Sequence, residues 1–177
     1  LASDKVTGQG YEQYEISNWA RRDAGGNIMA CEHNLQYWRN FPYLGCGAGG
    51  HGYAGGKRTE NELNPRKYIQ LLTAPIEASK QQRISFPLTP AASKFNEINH
   101  DQEMKETMMM GLRLTEEGVS RAAFTRRFGV DIKNVFRQEI EQLIRSGLLE
   151  WEVSGGDRLR LTPRGRLLGN QVFVKFV

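Results

Sequence analysis

From residue 99 onward the apolar positions recur with helical spacing. Met104, Met108 and Leu112 stand at i, i+4 and i+8 and predict one buried stripe. Met108, Met109 and Met110 read as core filler within it. Ser120 is placed to cap a helix whose Ala123, Phe124 and Phe128 point inward, with Gly129 as its stop. Asp131 opens the next helix, carrying Val135, Phe136, Ile140, Leu143 and Ile144, and Gly147 ends it. The stretch 148–153 then alternates apolar and polar residues, and after a Ser-Gly-Gly-Asp turn the stretch 158–162 does the same, which predicts a hairpin. Thr162-Pro163 starts a last helix with Leu168, Val172 and Phe176 on one face. Three helices, a two-stranded wing and a helix is the order of a winged helix.

The pattern before residue 99 is weaker. Residues 12–17 alternate Tyr14 and Ile16 with Gln13, Glu15 and Ser17 and predict a strand. Asn34 is placed to cap a short helix, residues 43–47 read as a short buried strand running into glycine, and Asn64-Pro65 opens a helix through Tyr68, Ile69, Leu71 and Leu72 that ends near Ala74. Prolines and the loss of any apolar period mark a linker. The expected division is a first region over 1–75, a linker over 76–93 and a C-terminal domain over 94–177.

Composition bounds this picture without changing it. No run of apolar residues is long enough for a membrane span, and the first residues lack a signal-peptide pattern, reading instead as the tail of a helix. Cys31 and Cys46 are too few for a disulfide framework and lack a zinc spacing, so reduced thiols in a cytoplasmic protein are expected. Residues 119–177 hold eleven Lys/Arg against six Asp/Glu. A winged helix with a basic tail raises nucleic acid as a partner. The recognition-helix position, however, carries Glu139 and Glu141, which would face phosphates, so protein or domain docking is favoured over nucleic acid.

The chemistry concentrates in residues 31–56. Gly45, Gly47 and Gly50 fit G-x-G-x-x-G, but no apolar helical stripe follows, which counts against dinucleotide binding. Glycines past a strand end permit close backbone approach, either at a barrel rim against a flat ligand or in a tight turn. His33 and Tyr37 share a helical stripe, and Asn34 and Trp38 the neighbouring one. An imidazole with aromatic neighbours suits iron and a porphyrin ring. A histidine hydrogen-bonded at a helix start beside core aromatics fits the same spacing. His51, framed by glycines, and His100, at a helix start, carry no assignment from spacing alone.

Four blocks together are more specific: YEISNWA (14–20), HNLQYWRN (33–40), YLGCGAGGHGY (43–53) and LTPRGRLLGNQVF (161–173). In this order they resemble the C-terminal half of the radical S-adenosylmethionine family of oxygen-independent coproporphyrinogen III oxidases and derived haem chaperones. The H-N-x-x-Y-W block favours the chaperone branch. The resemblance implies an α/β plus α+β fold, the last strands of a partial β/α (TIM-like) barrel followed by a winged-helix-like C-terminal domain. It implies haem binding by His33 with Tyr37 and Trp38, and a second S-adenosylmethionine site lined by Ala20 and His51. Cys46, Gly50 and Gly52 stand where the family pattern has Ile, Ala and Ser. The family's C-x-x-x-C-x-x-C motif is absent, so no iron–sulfur ligands are expected in this stretch, and the chain reads as a fragment whose parent would carry a 4Fe-4S cluster and S-adenosylmethionine. The implied function is to bind haem and deliver it to acceptor proteins, with the missing N-terminal barrel half as a further partner. The alternatives are oxidative decarboxylation of coproporphyrinogen and a nucleic-acid-binding winged helix.

Overall fold

The computed structural model describes residues 2–74, 85–152 and 155–177; residues 76–84 of the expected linker, together with Val153 and Ser154 of the expected hairpin, lie outside them. The described residues form two compact units. One joins 1–40 to 100–177, and the other is 41–99. These cuts differ from the 75/76 and 93/94 boundaries drawn from composition.

In the first unit, α1 (Ala2–Thr7) leads into β1 (Tyr11–Glu15) and β2 (Asn18–Arg21), an antiparallel hairpin. The sequence pattern predicts one strand here. The chain turns at Ile16 and Ser17 because the Glu15 carboxylate accepts from Ser17 N–H (2.9 Å) and Asn18 Nδ2 (2.6 Å). The register also shifts between Gln13 and Glu15, so Glu15, read as a polar outward position, is fully buried. Backbone bonds from Ile16 N–H to Arg113 O and from Thr115 N–H to Tyr14 O, both 3.1 Å, carry the hairpin onto residues 113–115. That pairing makes the unit discontinuous in sequence. The helix α2 (Glu32–Trp38) follows the hairpin.

Residues 100–177 supply α4 (His100–Gly111), β6 (Val119–Ser120), α5 (Arg121–Phe128), α6 (Ile132–Val135), α7 (Arg137–Arg145), β7 (Leu149–Trp151), β8 (Arg158–Leu161), α8 (Pro163–Leu167), α9 (Gly169–Phe173) and a final 3-10 turn (Val174–Phe176). Met104, Met108 and Leu112 are buried as one stripe, and they join Phe124, Phe128, Phe136 and Phe176 in a single core. Ser120 Oγ accepts from Ala123 N–H at the start of α5, and Gly129 ends it at φ 73°, a conformation that costs a side chain but not glycine. Two helices expected to be continuous are broken, at Phe136 (φ −114°, ψ 34°) and at Leu168 (φ −114°, ψ 25°). In both places local helix propensity yields to packing, which buries Phe136 and Val172. The sheet order is β6-β8-β7, with β6 a two-residue strand too short to show a period.

The second unit is an antiparallel sheet, β3 (His51–Ala54), β4 (Lys57–Asn61) and β5 (Ala92–Glu97), with α3 (Pro65–Thr73) between β4 and β5 in sequence. Asn64 caps α3 by accepting from Arg66 and Lys67 N–H. The strand expected at 43–47 is absent; only Tyr43 bridges to Tyr53, and the glycines fold back instead. Asn61 Nδ2 donates to the carbonyls of Gly45 and Gly47, 3.0 Å each. A Cβ on Gly45 would lie 2.3 Å from the His51 carbonyl oxygen, so only glycine fits there. Every pairing between named strands is antiparallel, and no helix among the described residues is long and apolar enough to cross a membrane.

Candidate functional site

The helix α2 presents two unlike sides. Its N-cap is Cys31, not the expected Asn34, and Leu35 N–H bonds Cys31 O at 3.0 Å. Asn34 instead points its amide at the Tyr14 hydroxyl (3.4 Å). Leu35 is buried with Tyr14, Ala20 and Leu114, and Trp38 packs against that cluster. The guanidinium of Arg113 lies 4.4 Å from the centre of the Trp38 ring and 5.6 Å from that of Phe173. Its Nε donates to Glu15 Oε1 at 2.8 Å, so one cation joins the hairpin, α2 and the C-terminal core. The indole N–H of Trp38 is buried without an acceptor among the described residues.

Beyond Trp38 the helix end is fastened by charge-assisted bonds. Arg39 forks onto Glu117 (Nε to Oε1 3.0 Å, Nη2 to Oε2 2.8 Å), a hydrogen bond that raises the Arg39 pKa. Asn40 is buried, donates to Thr107 Oγ1 at 3.1 Å, and its carbonyl accepts from Arg127 at 2.8 Å. Arg127 also holds Glu103 at 2.6 Å.

The other side of α2 faces solvent. His33 is exposed and Tyr37 half-buried, and their rings meet edge to face with centroids 4.8 Å apart at 87°. The spacing that places them on one stripe thus brings them together, whereas Trp38 is turned toward the protein. An accessible imidazole beside a tyrosine edge offers a nitrogen ligand and an aromatic border, the donor types a metalloporphyrin accepts.

The remaining expected positions fall in different units. Ala20 is buried in β2 of the first unit, and His51 is exposed at the start of β3 in the second. Cys31 and Cys46 are exposed, free thiols, one in each unit. Two thiolates do not fit a cubane cluster that needs three, and no group of three or more His, Cys, Asp or Glu side chains is placed for a metal among the described residues. No step is therefore derived through such a cluster. Arg113 is the residue the sequence patterns missed: its partner Glu15 is 98 positions away, and nothing local marks the pair.

Residues 98–168 match the family model described as HemN C-terminal domain. Over its whole length the chain is 37% identical to "Heme chaperone HemW" of Bacillus subtilis (strain 168), covering 41% of that protein. Another protein of that name, from Escherichia coli (strain K12), is 27% identical over 97% of the chain and 39% of its own length. "Radical S-adenosyl methionine domain-containing protein 1, mitochondrial" of Danio rerio is 32% identical over 60% of the chain and 22% of its own length. The structure of coproporphyrinogen III oxidase (HemN) from Escherichia coli, a radical SAM enzyme, superposes with a TM-score of 0.62 over 99% of the chain and 39% of that protein, at 14% identity, and so shares the fold. The chain spans about two fifths of the length of the Bacillus subtilis and Escherichia coli proteins it matches.

Proposed function

We propose, from the kinship of this chain with the C-terminal part of radical S-adenosylmethionine haem chaperones, that it belongs to a cytoplasmic protein that binds haem and passes it to acceptor proteins, and that α2 is where the iron is held. Haem is cargo in this reading. The supporting observation is the two-sidedness of α2: its inner side is clamped by Arg113, Glu117 and Arg127, while His33 stays exposed with Tyr37 against it.

His33 supplies one axial nitrogen, and Tyr37 borders the ring edge. Trp38, expected with Tyr37 as a partner of His33, also positions the helix from beneath. With His33 as a ligand of the iron, delivery would be a ligand exchange in which the acceptor's donor binds as the His33 bond breaks. The exposed imidazole is accessible to haem.

In the finer reading, residues 1–75 extend a β/α barrel carried by the remainder of the protein, and 94–177 form a winged-helix-like domain. Ala20 and His51 border the S-adenosylmethionine site, and the 4Fe-4S cluster lies outside this chain. Haem titration tests the central claim. A Soret shift on adding haem should vanish in His33→Ala, fall in Tyr37→Ala and persist in His100→Ala; a shift unchanged in His33→Ala refutes the assignment.

A further inference from the structure

A break in a helix opens a groove on the C-terminal core. Between α6 and α7, Phe136 leaves helical geometry and its ring packs 5.4 Å from Phe176. The hollow beside the break has a volume of 370 Å³ and is bounded by Lys133, Arg137, Ile140, Glu141, Ile144 and Trp151. Its floor is apolar. Ile140 is buried, but Ile144 keeps 37% of its surface exposed, and Trp151 is half-buried.

The rim is cationic. Lys133 Nζ stands 4.4 Å from the centre of the Trp151 ring. Glu141, the carboxylate among the lining residues, is held by Arg137 at 3.0 Å and faces Arg145 at 3.8 Å. Lys133 and Arg137 against the one carboxylate, Glu141, leave the lining net positive. An apolar floor under a positive rim complements a chain segment that is apolar in the middle and acidic at its flanks.

We propose that this groove docks a peptide segment of a partner protein, an aliphatic or aromatic anchor flanked by Asp or Glu. The anchor sits on Ile144 and Trp151, and its flanking carboxylates meet Lys133 and Arg137. Phosphate backbones fit less well, because they carry no apolar group to cover Ile144 and Trp151 on the floor of the groove. The proposal stands independently of the haem reading.

The test is selection from a displayed random-peptide library on the 177-residue chain, followed by fluorescence anisotropy of the enriched peptide. Ile144 and Arg137 are both exposed, so Ile144→Ser and Arg137→Glu leave the core intact. Enrichment of an apolar anchor with acidic flanks is expected, with affinity reduced about tenfold or more in each variant. Exchanging the peptide's acids for lysine should recover binding to Arg137→Glu. The proposal is overturned by failure to enrich, by enrichment of basic peptides, or by binding unchanged in both variants. Displacement of the peptide by a short DNA duplex would assign the groove to nucleic acid. Self-association of the chain abolished by Ile144→Ser would assign it to a second copy.

Discussion

Residues 100–177 and residues 41–99 are folded by different means. The first region interlocks large side chains: Phe124, Phe128, Phe136 and Phe176 with Leu159, Leu161 and Met108 form one buried cluster. Among its described residues the second buries little beyond Tyr53, Ala54 and Ala91 of its apolar side chains, and α3 buries none. It is built on ladder bonds, on the Asn61 amide gripping the glycine loop, and on backbone passing close to backbone at Gly45. Burial of apolar area stabilises a whole cooperative unit, whereas exposed ladder bonds open locally at little cost. The contrast teaches that the glycines of residues 45–56 are in large part a packing requirement, and need no ligand to explain them.

The comparison can be broken most forcefully in the core. Phe136→Ala should cost about 3–5 kcal/mol in urea unfolding, through a cavity next to Phe176 and Phe124. A loss below that of a surface change would mean the aromatic cluster is not what holds the region. Glu15→Gln comes next, at about 1.5–3 kcal/mol, because Arg113 then keeps a hydrogen-bond partner but loses the opposing charge. The same variant should raise the solvent accessibility of Trp38, read by fluorescence quenching.

Gly45→Ala sharpens the contrast. Its methyl group meets the His51 carbonyl, and overpacking of this kind costs about 1–3 kcal/mol. Faster amide exchange is expected in β3 and β4 with residues 100–177 unchanged; equal loss in both would erase the distinction between them. Asn64→Ala removes the α3 cap, worth about 1 kcal/mol, and should appear as faster exchange confined to the first turn of that helix.

The smallest expected effect is on pH dependence. The Asp157 carboxylate accepts from Ser120 Oγ at 2.7 Å and from Ala122 N–H at 3.0 Å, which holds the carboxyl below its ordinary range. A depressed folded-state pKa contributes stability above the unfolded pKa that is lost as pH falls through the folded one. Asp157→Asn should therefore lower stability at neutral pH, where the carboxylate contributes, and flatten the loss on the acid side. An unchanged acid limb would show that the carboxylate contributes nothing as an ion.

Much of the C-terminal region was legible beforehand because its signals are local. Ser120 and Gly129 bracket α5, Asn64 and Pro65 open α3, and the methionine stripe turns inward. What periodicity could not show was interruption. Phe136 and Leu168 continue the apolar pattern yet break the helix, since the core needs their regions at angles one straight helix cannot supply. At the candidate site, the pairing of His33 with Tyr37 follows from a four-residue spacing, but the inward turn of Trp38 depends on Arg113, far along the chain.

By itself the sequence determined caps, stops, the alternation of the β7–β8 hairpin and the stripe that joins two rings on α2, all of which rest on contacts a few residues apart. Only the tertiary structure decided which side of α2 meets water, that Glu15 lies inside, and that a groove opens beside Phe136. Each depends on groups that meet only after the chain has closed loops of many tens of residues, and such meetings leave no period in the sequence from which to read them.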